Sequence, residues 1–213
     1  MEKNNNMTLD PMCIDMLKEV GNICSGNATV ALSQVLNRRI ELKIPDLKLL
    51  NADTVFNKLN NLQEILVGIN IHLLGSLSGN VVLMFPEKSA YSLVDAVSQY
   101  RSELGNATEY GVSSLKEVGN IVISAYLATL STFTKQVILH STPSLICGTL
   151  ETIFNVAFHG FRTVAQEIIL IETFFEISEN NIKGSFFLLF DPKTIKSLLE
   201  DTRGYWESEK KTN

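Results

Sequence analysis

Residues 15–45 read DMLKEVGNICSGNATVALSQVLNRRIELKIP, and residues 113–143 read SSLKEVGNIVISAYLATLSTFTKQVILHSTP. Both stretches spell the pattern [Asp/Ser]-x3-Glu-x2-Asn-x22-Pro. Its members are Asp15, Glu19, Asn22 and Pro45 in the first copy, and Ser113, Glu117, Asn120 and Pro143 in the second, each shifted by 98 positions. The flanking text repeats as well: LKEVGNI stands at 17–23 and again at 115–121. With each residue type met at roughly one position in twenty, one copy arises by accident on the order of once in several hundred chains of this length. A second copy with the same gap removes accident as an explanation. Internal duplication accounts for there being two copies, but not for the same polar residues surviving in both. The repeat therefore reads as two copies of a site.

On a helix the pattern takes a definite shape. At about 100° per residue, with Asp15 as zero, Glu19 falls near about 40° and Asn22 near about −20°, one narrow stripe. Leu17, Val20, Cys24, Ala28, Ala31 and Val35 fall on the opposite side. Ser113, Glu117 and Asn120 repeat the polar stripe, with Leu115, Val118, Val122, Tyr126 and Phe133 opposite. Gly21, Ser25 and Gly26 read as small neighbours that let Asn22 enter a partner's cleft, with Gly119 and Ser124 in the same role beside Asn120. Asparagine carries a donor and an acceptor without charge, so it can orient a water. A glutamate one turn earlier can pair with a cation on that partner. Pro45 and Pro143 read as positional residues that fix a strand edge beside the helix.

Working outward, a helix begins at Asp10-Pro11, with Asp as N-cap and Pro at the first helical position, and closes at Asn37. A strand over 40–50 carries Pro45. The alternation Ile65, Val67, Ile69, Ile71, Leu73 predicts a strand, and the turn 75–79 leads to its hairpin partner at 80–85. A helix over 87–99 and a link over 100–107 complete this half. The order then repeats: a helix over 109–133, a strand with Pro143, a long strand over 164–177, a turn at 179–184, a partner strand over 185–190 and a helix over 192–203. The glycine-led segments at 79–86 and 184–192 align with a larger offset than the motifs, which places a small insertion between 150 and 163. The expected fold is α+β: a single domain over 1–213 with an internal pseudo-two-fold repeat (9–100 and 108–203). Two long motif helices pack on an antiparallel sheet, and residues 204–213 form a loose tail.

Composition narrows the function classes. The chain has 213 residues, 45% hydrophobic and 19% charged, which suits a globular domain with a sizeable core. A net charge of −5 with only short basic pairs, Arg38-Arg39 and Lys210-Lys211, argues against a nucleic-acid partner. Cys13, Cys24 and Cys147 have neither disulfide nor zinc spacing and suit a reducing compartment. The N-terminus lacks a signal-peptide core and no stretch is long enough to span a membrane, so a cytoplasmic protein is expected, by default a monomer. Neither copy holds a nucleophilic Cys or His or a carboxylate pair. His72, His140 and His159 are scattered, there is no phosphate-binding glycine loop, and no metal site or cofactor of its own is expected. Glu plus Asn make a poor self-contained hydrolase but suffice to complete another protein's active site.

Both motif copies, with the context Gly21-Asn-Ile-Cys-Ser-Gly-Asn-Ala28, resemble the CheC/CheX/FliY family of chemotaxis phosphatases across about residues 9–203. Two motifs without an added C-terminal switch domain resemble its CheC-type members most. The resemblance implies hydrolysis of the aspartyl phosphate on CheY, the response regulator. Asn22 and Asn120 would orient the attacking water, Glu19 and Glu117 would pair with the receiver's active-site lysine, and the receiver would supply the Mg2+. It also implies CheD, the receptor deamidase, as a second partner. The other readings are a non-catalytic adaptor that docks through the same faces and a flagellar switch component.

Overall fold

The computed structural model describes residues 11–42, 46–51, 64–75, 77–97, 107–157, 167–177 and 182–190, together with 194, 196–198 and 200. Asp10, Pro45, the side chain of Cys13, most of the 100–107 link, His159 and the 204–213 tail lie outside these residues.

The first motif helix, α1, runs Pro11–Leu36. Two short strands follow, β1 (Glu41–Leu42) and β2 (Asp46–Asn51). The expected hairpin is β3 (Leu66–Gly75) and β4 (Gly79–Pro86), and α2 spans Glu87–Val97. The second motif helix, α3, runs Ala107–Thr134, followed by β5 (Ile138–His140) and β6 (Ser144–Gly148). A short helix, α4 (Leu150–Ala157), fills the expected insertion. The hairpin β7 (Glu167–Ile177) and β8 (Ile182–Phe190) comes next, and the described residues from 194 to 200 are helical.

Both motif helices end in the same way. Asn37 and Lys135, 98 positions apart, take the left-handed conformation at φ 50° and 54° that terminates a helix. One turn earlier, Ser33 donates its hydroxyl to the Arg38 carbonyl, and Ser131 donates to the Gln136 carbonyl. Each serine thus ties the last turn of its helix to the carbonyl of the second residue beyond the helix end and braces the exit of the chain.

All eight strands form one antiparallel sheet in the order β1-β7-β8-β4-β3-β5, with β2 also on β7 and β6 also on β3. The strands after α1 pair with the long strand of the second half, and those after α3 pair with the long strand of the first. The halves are therefore interlocked, and each supplies the outer edge of the other. After α3 the single strand expected is instead two collinear pieces, β5 and β6, while residues 43–45, between β1 and β2, lie outside the described residues. In the second half the reason is visible: Pro143, which has no N–H to give a ladder, stands in the break just before β6.

The sheet is covered on both faces. Val81, Leu83 and Phe85 of β4 join Ile69, Ile71, Leu188 and the buried faces of α1 and α3 in the main core. The alternate residues Val82 and Met84 pack with Phe187, Leu189, and Ile153 and Phe154 of α4 in a second cluster. Each such side chain contributes roughly 1.5–3 kcal/mol relative to exposure, so β4, buried along nearly its whole length, is the central strand energetically as well as topologically.

Candidate functional site

On α1, Asp15, Glu19 and Asn22 are exposed, while Leu17, Val20, Cys24 and Ala28 are at most 5% exposed. On α3, Ser113 and Glu117 are exposed and Asn120 is half-buried, with Leu115, Val118, Val122, Tyr126 and Phe133 all in the core. Each helix therefore turns its Glu and Asn away from its apolar stripe. The buried stripe is wider than the helical wheel alone indicates, because each helix packs on both the sheet and the other helix. Leu32 and Leu36 are buried where Ala31 and Val35 are only partly so, and Ser25 is 3% exposed.

The glycine beside each Asn has a different role from the one its size suggests. A Cβ on Gly119 would stand 2.6 Å from Cγ2 of Ile69 on β3, too close for any real contact. Gly119 therefore lets α3 settle on the sheet, and the next residue, about 100° round the helix, faces outward. Gly21 is buried too. The Gly119-Asn120 pair couples a close approach underneath to a polar side chain on top. At Gly26, by contrast, a Cβ would meet no heavy atom within 4 Å.

The two sites lie apart. Five antiparallel steps separate β1 from β5, so these strands run in opposite directions. The same cap joins each to its helix, so α1 and α3 run in opposite directions as well. Asn27 Nδ2 donates to Thr129 Oγ1 at 2.9 Å across the helix pair. Asn22 lies five residues before Asn27 and Asn120 nine before Thr129, which separates the two asparagines by about 20 Å along the helices. One receiver-sized active site cannot engage both at once.

Two hollows lie beside the motif helices. A cavity of about 20 Å3 between Ala28, Leu32, Val122 and Tyr126 holds at most about one water. A larger groove of about 570 Å3 runs over the C-terminal end of α1, from Thr29 to Ile40. Neither includes a motif residue. Burial pushes the Cys24 thiol well above its ordinary range, so it holds no nucleophilic thiolate near neutral pH. Cys147 is exposed. Among the described residues no cluster of three or more His, Cys, Asp or Glu could hold a metal, and no helix is long and apolar enough to cross a membrane.

Around the second motif, Ser124 and His140, expected as a small neighbour and as one of three scattered histidines, are joined in a polar cluster. Ser124, one turn past Asn120, is 3.1 Å from Nε2 of His140, and Nδ1 of His140 is 2.9 Å from the Ser141 carbonyl. The Ser141 N–H donates to the His72 carbonyl at 2.9 Å, and the His72 N–H to Ser141 Oγ at 3.0 Å. These bonds bridge the stretch between β5 and β6 where Pro143 stands. The available signal was positional: Ser124 continues the stripe of Ser113, Glu117 and Asn120.

Comparison with known proteins adds an independent line. A model of the CheC-like family matches residues 12–49 and 112–147, which include both Glu-x2-Asn segments and both motif prolines. A Bacillus subtilis (strain 168) protein described as CheY-P phosphatase CheC is 26% identical over 190 residues, covering 87% of this chain and 91% of that one. The crystal structure of Thermotoga maritima FliY shares the fold with a TM-score of 0.74 at 23% identity, over 93% of this chain and 100% of that one. A chain from the CheX-CheY-BeF3-Mg2+ complex of Borrelia burgdorferi matches with a TM-score of 0.52 at 17% identity, over 81% of this chain and 99% of that one. Two segments similar to the CheC-like family on the two motif helices, a curated relative aligned over most of both chains and a shared fold together make this chain similar to CheC-like proteins.

Proposed function

We propose that the chain is a phosphatase for a CheY-type response regulator, with one site on α1 and one on α3. The observation that carries this reading is the repeated Glu and Asn stripe, held outward on two rigid helices and lining neither of the cavities described. Such a stripe can enter a partner's cleft. The likeness to a curated CheY-P phosphatase, and to a chain from a complex containing CheY, supports the choice of partner.

In this mechanism Glu19 or Glu117 pairs with a lysine at the receiver's active site and sets the docking angle. Asn22 or Asn120 then lies over the phosphoryl group. Its amide oxygen accepts from a water and its NH2 is free to donate, which holds the water in line with the bond to be broken. The water oxygen bonds to phosphorus, the bond from phosphorus to the aspartyl oxygen breaks, and the products are the free carboxylate and inorganic phosphate. The receiver's Mg2+ carries the charge that develops on the phosphoryl oxygens. A neutral Asn adds no negative charge beside the incoming water. A CheD-type deamidase is a second partner under the same reading.

The test is the decay of phosphorylated CheY with Mg2+ present. Wild-type protein shortens the phosphate's lifetime, and Asn22→Ala/Asn120→Ala loses the effect while still binding the receiver. The competing reading, a docking adaptor, uses the same exposed faces and predicts a lifetime that never depended on either Asn.

A further inference from the structure

Ser124 and His140 stand beside the second motif and have no equivalents beside the first. The carbonyl of Ser141 can only accept, so the bond at 2.9 Å places the proton of His140 on Nδ1. In the neutral ring Nε2 then carries the lone pair, and Ser124 must donate its hydroxyl to it across 3.1 Å. The serine proton is thereby fixed, and both lone pairs of Oγ stay available one helical turn beyond Asn120. Among the described residues no other hydrogen bond to Ser124 is present. His140 is itself held, as the last residue of β5 opposite Leu73, with the cross-strand bonds between Ser141 and His72 next to it. At the matching positions of the first half, 98 residues earlier, stand Gly26 and Leu42. Gly26 faces open space and offers no side-chain acceptor.

We infer that Ser124, oriented by His140, is a specificity-determining hydrogen-bond acceptor that makes the α3 face the tighter of the two docking sites. It would receive an N–H donor on the partner's surface, one helical turn from the group that Asn120 addresses. This inference rests on the reading that a CheY-type receiver docks on these faces. Ser124 contacts the partner and His140 acts through Ser124.

Affinity is measured for CheY carrying beryllofluoride and Mg2+, using Glu19→Lys protein, which leaves only the second face able to dock, and Glu117→Lys protein, which leaves only the first. In the first background Ser124→Ala and His140→Ala each weaken binding about five-fold, the scale of one hydrogen bond, and the pair together does no more than either alone. His140→Gln, whose amide reaches the position of Nε2, restores most of the loss. In the Glu117→Lys background the same changes alter affinity less than about two-fold. Turnover of phosphorylated CheY by Asn22→Ala protein shows the same changes as a raised KM with kcat kept. Equal weakening in both backgrounds marks a loss of fold and overturns the inference, as does a fall in kcat at constant KM. If wild-type protein binds CheY but does not shorten the phosphate's lifetime, the phosphatase reading fails while the affinity comparison still decides this one. Absence of binding by wild-type protein overturns both.

Discussion

The α1 and α3 faces carry the same glutamate and asparagine at the same spacing, and both helices end in the same serine-braced cap. They differ in what lies around the asparagine. Asn22 is exposed and followed one turn later by a bare Gly26; Asn120 is half-buried and followed by Ser124 on His140. The parts held in common are those that define the stripe and the ends of the helix carrying it. The parts that diverged are those a partner would meet at the rim. The shared stripe and caps leave room for the two faces to differ in affinity.

The sharpest structural probe of this comparison uses the glycines. Gly119→Val drives side-chain atoms into Ile69, and we expect it to lower stability by about 3 kcal/mol in urea unfolding. Gly26→Ala enters open space and raises stability by about 0.5–1 kcal/mol through helix propensity. Equal effects at the two positions would break the distinction between an inward and an outward glycine. Next in size, charge reversal at either glutamate tests whether the sites are chemically alike. Glu19→Lys should weaken CheY binding at the α1 face about 30-fold and Glu117→Lys at the α3 face by a similar factor, each read as the loss of one of two binding events. A large effect from one and none from the other would leave one stripe without a docking role.

The caps provide a smaller and symmetric test. Ser33→Ala and Ser131→Ala should each cost about 1 kcal/mol, and by similar amounts, since they make the same bond at equivalent ends. The smallest effect concerns pH. Burial raises the Cys24 thiol above its ordinary value of 9.0, and burial together with Cys24 raises the Tyr126 hydroxyl above 10.0. The folded chain then keeps protons that the unfolded chain releases. Stability is full below about pH 9 and declines as pH rises further. Val122 stands where Cys24 would in the second half. Cys24→Val, which makes α1 match α3 there, should therefore reduce the loss of urea midpoint between pH 7.5 and pH 10.

Much of this was legible in the sequence, for a local reason. A helix repeats every 3.6 residues, so the stripe of Glu19 and Asn22 and the opposing Leu17, Val20 and Cys24 follow from position alone. The alternation at 65–73 gave the hairpin strand by the same kind of argument. What escaped depends on distant partners. Nothing local tells that Asp46–Asn51 would pair with β7 from the other half, or that Gly119 would meet Ile69. Ser25 looked like a small neighbour of Asn22, but its burial is set by packing that the helical wheel does not contain. Ser124 and His140 are sixteen residues apart on different elements, and only the fold of β5 beneath α3 joins them.

The central claim, two separate sites that each orient a water through one Asn, is met most directly by single-site variants. The decay of phosphorylated CheY with Mg2+ is followed for wild type, Asn22→Ala, Asn120→Ala and the double variant, with receiver binding measured alongside. The account predicts partial loss in each single variant and complete loss in the double, with binding retained. A double variant that still shortens the phosphate's lifetime as wild type does would contradict it.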